Sequence, residues 1–101
     1  MSFTLHTLET APEAARAEME QSQKSFGFIP NLHKVLAESP PALAAYKRLH
    51  ELFVQTGFDA EELTVVWQTI NVANDCHYCI PAHTGIAHMM KVDGALIDAL
   101  N

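Results

Sequence analysis

Two cysteines, the only two in the chain, stand three residues apart at Cys76 and Cys79, and His83 follows four residues later. On a helix, spacings of three and four put side chains on one face, so both thiols and the imidazole would share a surface. The thiolate is the reactive form of cysteine, and a helix N-terminus lowers a thiol pKa through its unpaired amides and its dipole. A histidine one turn away can accept a thiol proton or return one to a leaving group. A second thiol within reach turns a sulfenic acid or a mixed disulfide into an internal disulfide. These pieces suffice for a peroxidase or a disulfide reductase in which Cys79 attacks, Cys76 resolves and His83 shuttles the proton.

Three other uses of the same residues stand beside this one. Two buried cysteines can pack as small apolar side chains. Zinc accepts thiolate and imidazole ligands, and Cys76, Cys79, His83 and His88 would supply them. Structural zinc sites, however, draw ligands from separated segments, and His88 falls off the shared face and beside His77 instead. A cysteine hydrolase would need an orienting Asn or Asp and an oxyanion hole that the sequence does not identify. His77 and His88 read as ordinary surface or packed histidines. His6, His33 and His50 have no partner pattern and receive no chemical role.

The elements that must position the pair are helical. Residues 1–9 form an irregular lead-in. Thr10 is the expected N-cap of a helix with Pro12 in its first turn and Glu13 at the capping-box position, and Ala14 to Lys24 are good helix formers. Gly27 suits a left-handed C-terminal position and Pro30 prevents continuation, with Phe26, Phe28 and Ile29 expected in the core. Asn31 caps a short helix from Leu32 to Glu38. Ser39 caps the next, where Leu43, Tyr46, Leu49, Leu52 and Phe53 recur at helical spacing between Ala42 and Thr56.

Asp59 and Glu62 form a capping box for a helix from about Ala60 to Asn74. Leu63, Val65, Val66, Trp67, Ile70, Val72 and Ala73 make it apolar around much of its circumference, so it should be central. Its polar residues, Glu61, Thr64, Gln68 and Asn71 with Asp75 beyond, line up on one side. The plain expectation is a solvated face; the sharper one is a line of polar groups leading to the cysteines. Asp75 is expected to cap a helix running to about Lys91 with both cysteines at its N-terminus, and Asp93 to cap a last helix from Ala95 to Leu100. No stretch alternates as a strand does, so the fold class is all-α.

Composition bounds the partners. The chain has 101 residues, one domain's worth, with 49% hydrophobic residues and a formal net charge of -6. That charge argues against nucleic acid and anionic membranes. No segment approaches the roughly 20 apolar residues of a membrane span. Met1-Ser2-Phe3-Thr4 lacks the basic and apolar runs of a signal peptide, so the expected compartment is the cytoplasm, where paired cysteines are redox-active or metal-binding more often than structural.

The run Asn74-Asp75-Cys76-His77-Tyr78-Cys79-Ile80-Pro81-Ala82-His83-Thr84 resembles the core motif of the AhpD-like, carboxymuconolactone decarboxylase superfamily. Gly27-Phe28-Ile29-Pro30-Asn31-Leu32 and Ser39-Pro40 resemble its N-terminal half, so the likeness covers about residues 20 to 95. The resemblance implies a single all-helical AhpD-like domain of five to six helices, continued by further helices beyond residue 101 and assembling as a homo-oligomeric trimer or hexamer. It implies a peroxiredoxin-type oxidoreductase that reduces alkyl hydroperoxides with electrons from a dithiol or thioredoxin-like donor, without a bound cofactor or metal. By position Cys79 matches the peroxidatic cysteine, Cys76 its partner and His83 the proton-relay histidine. The superfamily's lactone decarboxylases generally lack the pair, which favours the peroxidase branch. Two positions depart from that branch. Thr64 stands where its peroxidases carry a glutamate, which leaves the relay either rerouted through Glu61, one turn earlier, or weakened. Tyr78 stands where they can carry a histidine.

Overall fold

The computed structural model describes residues 3–101 and is helical, with six helices and no strand among the described residues: α1 Glu13–Phe26, α2 Asn31–Leu36, α3 Pro40–Val54, α4 Ala60–Ala73, α5 Cys79–Met89 and α6 Gly94–Leu100. The all-α expectation of five to six helices holds. Met1 and Ser2, at the start of the expected lead-in, lie outside the described residues. None of the helices is long and apolar enough to cross a membrane. The chain divides into two compact units, Met1–Phe53 and Val54–Asn101.

The first unit holds α1, α2 and most of α3 around Ala11, Ala15, Met19, Ala37 and Leu43, with Leu8, Ile29 and Leu36 packed against them. Gly27 ends α1 at φ 81, the left-handed position expected of it. Three expectations change. α1 starts at Glu13 behind Pro12 with no side-chain cap, because the Thr10 hydroxyl is taken by the Thr7 amide at 2.8 Å. Asn31 is likewise the first residue of α2, behind Pro30, rather than its cap. Phe28, Leu49 and Leu52 are exposed; Leu43 is the buried residue of α3. His33, given no role from sequence, is buried against Ser22, whose hydroxyl lies 2.8 Å from its Nδ1. His6 reaches Glu38 at 2.6 Å.

In the second unit α4 packs on α5 and α6, and α5 on α6. Ala87, Val92 and Ile97 form its apolar centre, with Ala60, Met90 and Leu96 against them. The capping box that opens α4 is complete: Asp59 accepts from the Glu62 amide at 2.9 Å and Glu62 from the Asp59 amide at 3.0 Å. Asp93 accepts from the Ala95 amide at 3.1 Å and opens α6 as expected.

The end of α4 departs from expectation in a way that matters for the cysteines. Asp75 does not cap the following helix; it adopts φ 49. Its amide bonds Val72 O and the Cys76 amide bonds Asn71 O, each at 3.0 Å. That pair of bonds is a Schellman closure with Asp75 in the left-handed position, where Asp is among the few non-glycine residues tolerated. The same closure ends α5: Lys91 has φ 62, its amide bonds His88 O, and Val92 returns to Ala87 O. The buried contact of Val92 with Ala87 is the apolar clasp that accompanies such ends.

Candidate active site

Closure of α4 places Cys76 at the first residue past the turn, and α5 begins at Cys79. The CxxC therefore sits at a helix N-terminus as expected, with Cys79 inside the helix and Cys76 just ahead of it. Both cysteines are free and half-buried. No side-chain oxygen caps α5. Cys76 does that work instead: its sulfur accepts from the Cys79 amide at 3.2 Å, and its carbonyl accepts from the Ile80 amide at 3.1 Å. Amides of a first helical turn have no partner within the helix, so a sulfur placed there meets donors that favour its anion.

The two thiols are driven apart in acidity. Hydrogen bonds from the Cys79 side chain, then from the Cys79 amide, with a smaller share from Tyr78, hold the Cys76 thiol below the usual range. Burial, the thiol–thiol hydrogen bond and the neighbouring Cys76 charge push the Cys79 thiol up to about 11. Cys79, expected as the attacking thiol, is thus the one whose ionisation is opposed. The physical reason is that Cys79 is desolvated by burial and that its thiol donates to Cys76.

His83 lies one turn along α5 from Cys79, half-buried, with its Nδ1 shielded from solvent. Its ring rests against Trp67 of α4, centroids 4.9 Å apart. His77 is exposed between the cysteines and lies 3.7 Å from the Asp75 carboxylate.

The polar stripe of α4 is not a solvated face. Thr64 and Gln68 are buried and Asn71 is half-buried, while Val65, Ile70 and Val72 face outward. Thr64 satisfies itself by donating to Ala60 O at 2.8 Å. The Gln68 Nε2 amide lies 3.1 Å from each of Ile80 O, Thr84 Oγ1 and Asn101 Oδ1. Asn71 Nδ2 donates to Gln68 Oε1 at 3.0 Å and, at a longer 3.4 Å, to Cys79 O. Gln68 and Asn71 were placed on the right helix face from sequence, and the line leads to the cysteine segment. What spacing could not reveal was that this face turns inward.

Glu61 stands apart from this line. It is exposed, on the wall of an open cleft of about 300 Å³ with Phe58, Glu62, Val65 and Val66. Gln68 and Asn71 of α4 donate to Ile80 O and Cys79 O in the cysteine segment. Among the described residues no three His, Cys, Asp or Glu side chains converge to hold a metal ion, so Cys76, Cys79, His83 and His88 form no such cluster. No protein-family model matches the chain, and no curated protein matches it.

Proposed function

We propose that the protein is a thiol-dependent peroxidase or disulfide reductase that works through the Cys76/Cys79 pair on alkyl hydroperoxides. The observation that carries this reading is the bond from the Cys79 amide to the Cys76 sulfur, which favours ionisation of Cys76 beside a Cys79 thiol whose ionisation is opposed. The residue-by-residue likeness of the CxxC segment to the AhpD-like peroxidases supports it.

In this reading the Cys76 thiolate attacks a hydroperoxide oxygen. An S–O bond forms, the O–O bond breaks, and the departing alkoxide takes a proton carried by His83 and leaves as an alcohol. Cys79 then attacks the sulfenic sulfur; an S–S bond forms, the S–O bond breaks, and the Cys79 proton leaves with the oxygen as water. A dithiol or thioredoxin-like donor returns two electrons and two protons. These roles reverse the assignment of Cys79 as first nucleophile, because Cys76 receives the hydrogen bonds.

Apolar side chains left exposed on α3, α4 and α5, among them Leu49, Leu52, Ile70 and Met89, support association of copies, the trimer or hexamer that the resemblance implies. The test of function is hydroperoxide consumption with a dithiol donor. Cys76→Ser should abolish it, and Cys79→Ser should permit one turnover that stops at the sulfenic acid. Hydroperoxide turnover that survives loss of both thiols would overturn the reading.

A further inference from the structure

One residue touches both cysteines through different atoms. The backbone carbonyl of Asn71 accepts from the Cys76 amide at 3.0 Å, and its side-chain amide reaches Cys79 O at 3.4 Å. The first contact is the long bond of the Schellman closure, so it is fixed by the backbone. The second depends on which way the Asn71 amide faces, and the surrounding groups decide that.

Ile80 O is a carbonyl and can only accept, so the Gln68 atom facing it is the nitrogen, as Gln68 Nε2 at 3.1 Å. Gln68 Oε1 then points to Asn71 and can only accept, so Asn71 presents its nitrogen at 3.0 Å. Both Asn71 N–H groups are thereby assigned, one to Gln68 Oε1 and one to Cys79 O. Gln68, fully buried, also holds Thr84 and Asn101, so the Asn71 amide is fixed through a buried side chain that is itself held by α5 and by Asn101.

We propose that Asn71, oriented by Gln68, is the positioning residue of the dithiol: it holds the Cys79 backbone at the distance where the Cys79 amide meets the Cys76 sulfur. This rests on the redox reading for its purpose but not for its measurement. Asn71 touches no reacting atom. Its side chain fixes the first turn of α5, its backbone fixes Cys76, and the relative place of the two thiols follows. Losing the side-chain arm frees the turn and weakens the bond from the Cys79 amide to the Cys76 sulfur, while the backbone arm remains.

The experiment is the rate of iodoacetamide alkylation of Cys76 against pH in the full chain, with each cysteine followed by mass spectrometry. Asn71→Leu, near in size and unable to donate, should move the Cys76 profile to higher pH and slow alkylation at neutral pH by about three- to tenfold, a part of the worth of one hydrogen bond to the anion, since the bond is weakened and not removed. Asn71→Ala gives the same readout if leucine is not accommodated. Val92→Ala, which loosens the apolar centre of the same unit away from the cysteines, should leave the profile in place. A profile unchanged in both Asn71 variants, or shifted as far by Val92→Ala, overturns the proposal. Failure of the wild type to form an internal disulfide is a separate result that removes the redox reading and leaves this titration standing.

Discussion

The backbone amide of Cys79 donates to the sulfur of Cys76 across 3.2 Å. The two cysteines are therefore unequal before any substrate arrives: one receives the donors of a helix start and the other supplies them. A spacing of three residues brings two thiols together in any helical turn. What distinguishes this turn is that Cys76 lies just outside α5, where its sulfur can take an amide that no residue within the helix accepts.

Inequality of the thiols should appear directly in their titration. Alkylation of Cys76 should rise with pH through a midpoint below that of an ordinary cysteine, and Cys79 should stay unreactive until pH approaches about 11. Cys79→Ala removes the side-chain donor to Cys76 and should move the Cys76 midpoint upward. Peptide mapping after pH-jump alkylation checks both; equal reactivity of the two cysteines at pH 8 would contradict them.

Gln68 should be the most sensitive polar position of the second unit. It is fully buried with hydrogen bonds from both ends of its amide. Gln68→Leu should cost about 1–3 kcal/mol in chemical denaturation, since partners are left unsatisfied. Gln68→Glu should cost more at neutral pH, because a carboxylate cannot donate to Ile80 O and its charge is buried. Burial raises the carboxyl pKa in the folded state, so that variant should regain stability as pH falls and lose it as pH rises.

Glu61 should be silent in thiol chemistry. It is exposed on the open cleft beside Phe58 and Val65. Glu61→Gln should leave the alkylation profiles of both cysteines superimposable on wild type. A rise in either thiol midpoint would restore the relay through Glu61 that the position of Thr64 first suggested.

Acid should weaken the first unit through His33. Burial first, then the Lys47 and His50 charges, lower its pKa from 6.5 to about 4. The unfolded chain binds this proton more readily, so the stabilising contribution is fully present above pH 6.5 and is lost as pH falls toward about 4. His33→Gln should flatten the Tm-against-pH curve across that window; an unchanged slope would place the acid sensitivity elsewhere.

Much of this arrangement was legible in the residues. The Asp59–Glu62 capping box, the Gly27 stop and the Asp93 start are local chemistry and hold, whereas the Thr10 and Asn31 caps give way to starts behind Pro12 and Pro30. Spacing placed Thr64, Gln68 and Asn71 on one face but could not orient that face, because apolar residues surround α4 on several sides. Burial of Gln68 rests on acceptors at Ile80, Thr84 and Asn101, which only the tertiary fold assembles. Asp75 misled for a related reason: Asp both caps helix starts and tolerates the left-handed end of a preceding helix, and here the closure of α4 takes it first.

The central claim is that Cys76 and Cys79 are redox partners within one chain. Its most direct test is to treat the reduced protein with one equivalent of an alkyl hydroperoxide, count free thiols, and measure the intact mass on a non-reducing system. The account predicts that both thiols vanish together, that the mass falls by two hydrogens, and that the chain stays uncrosslinked. Two thiols surviving the peroxide, or a covalent dimer in place of the internal disulfide, would contradict it.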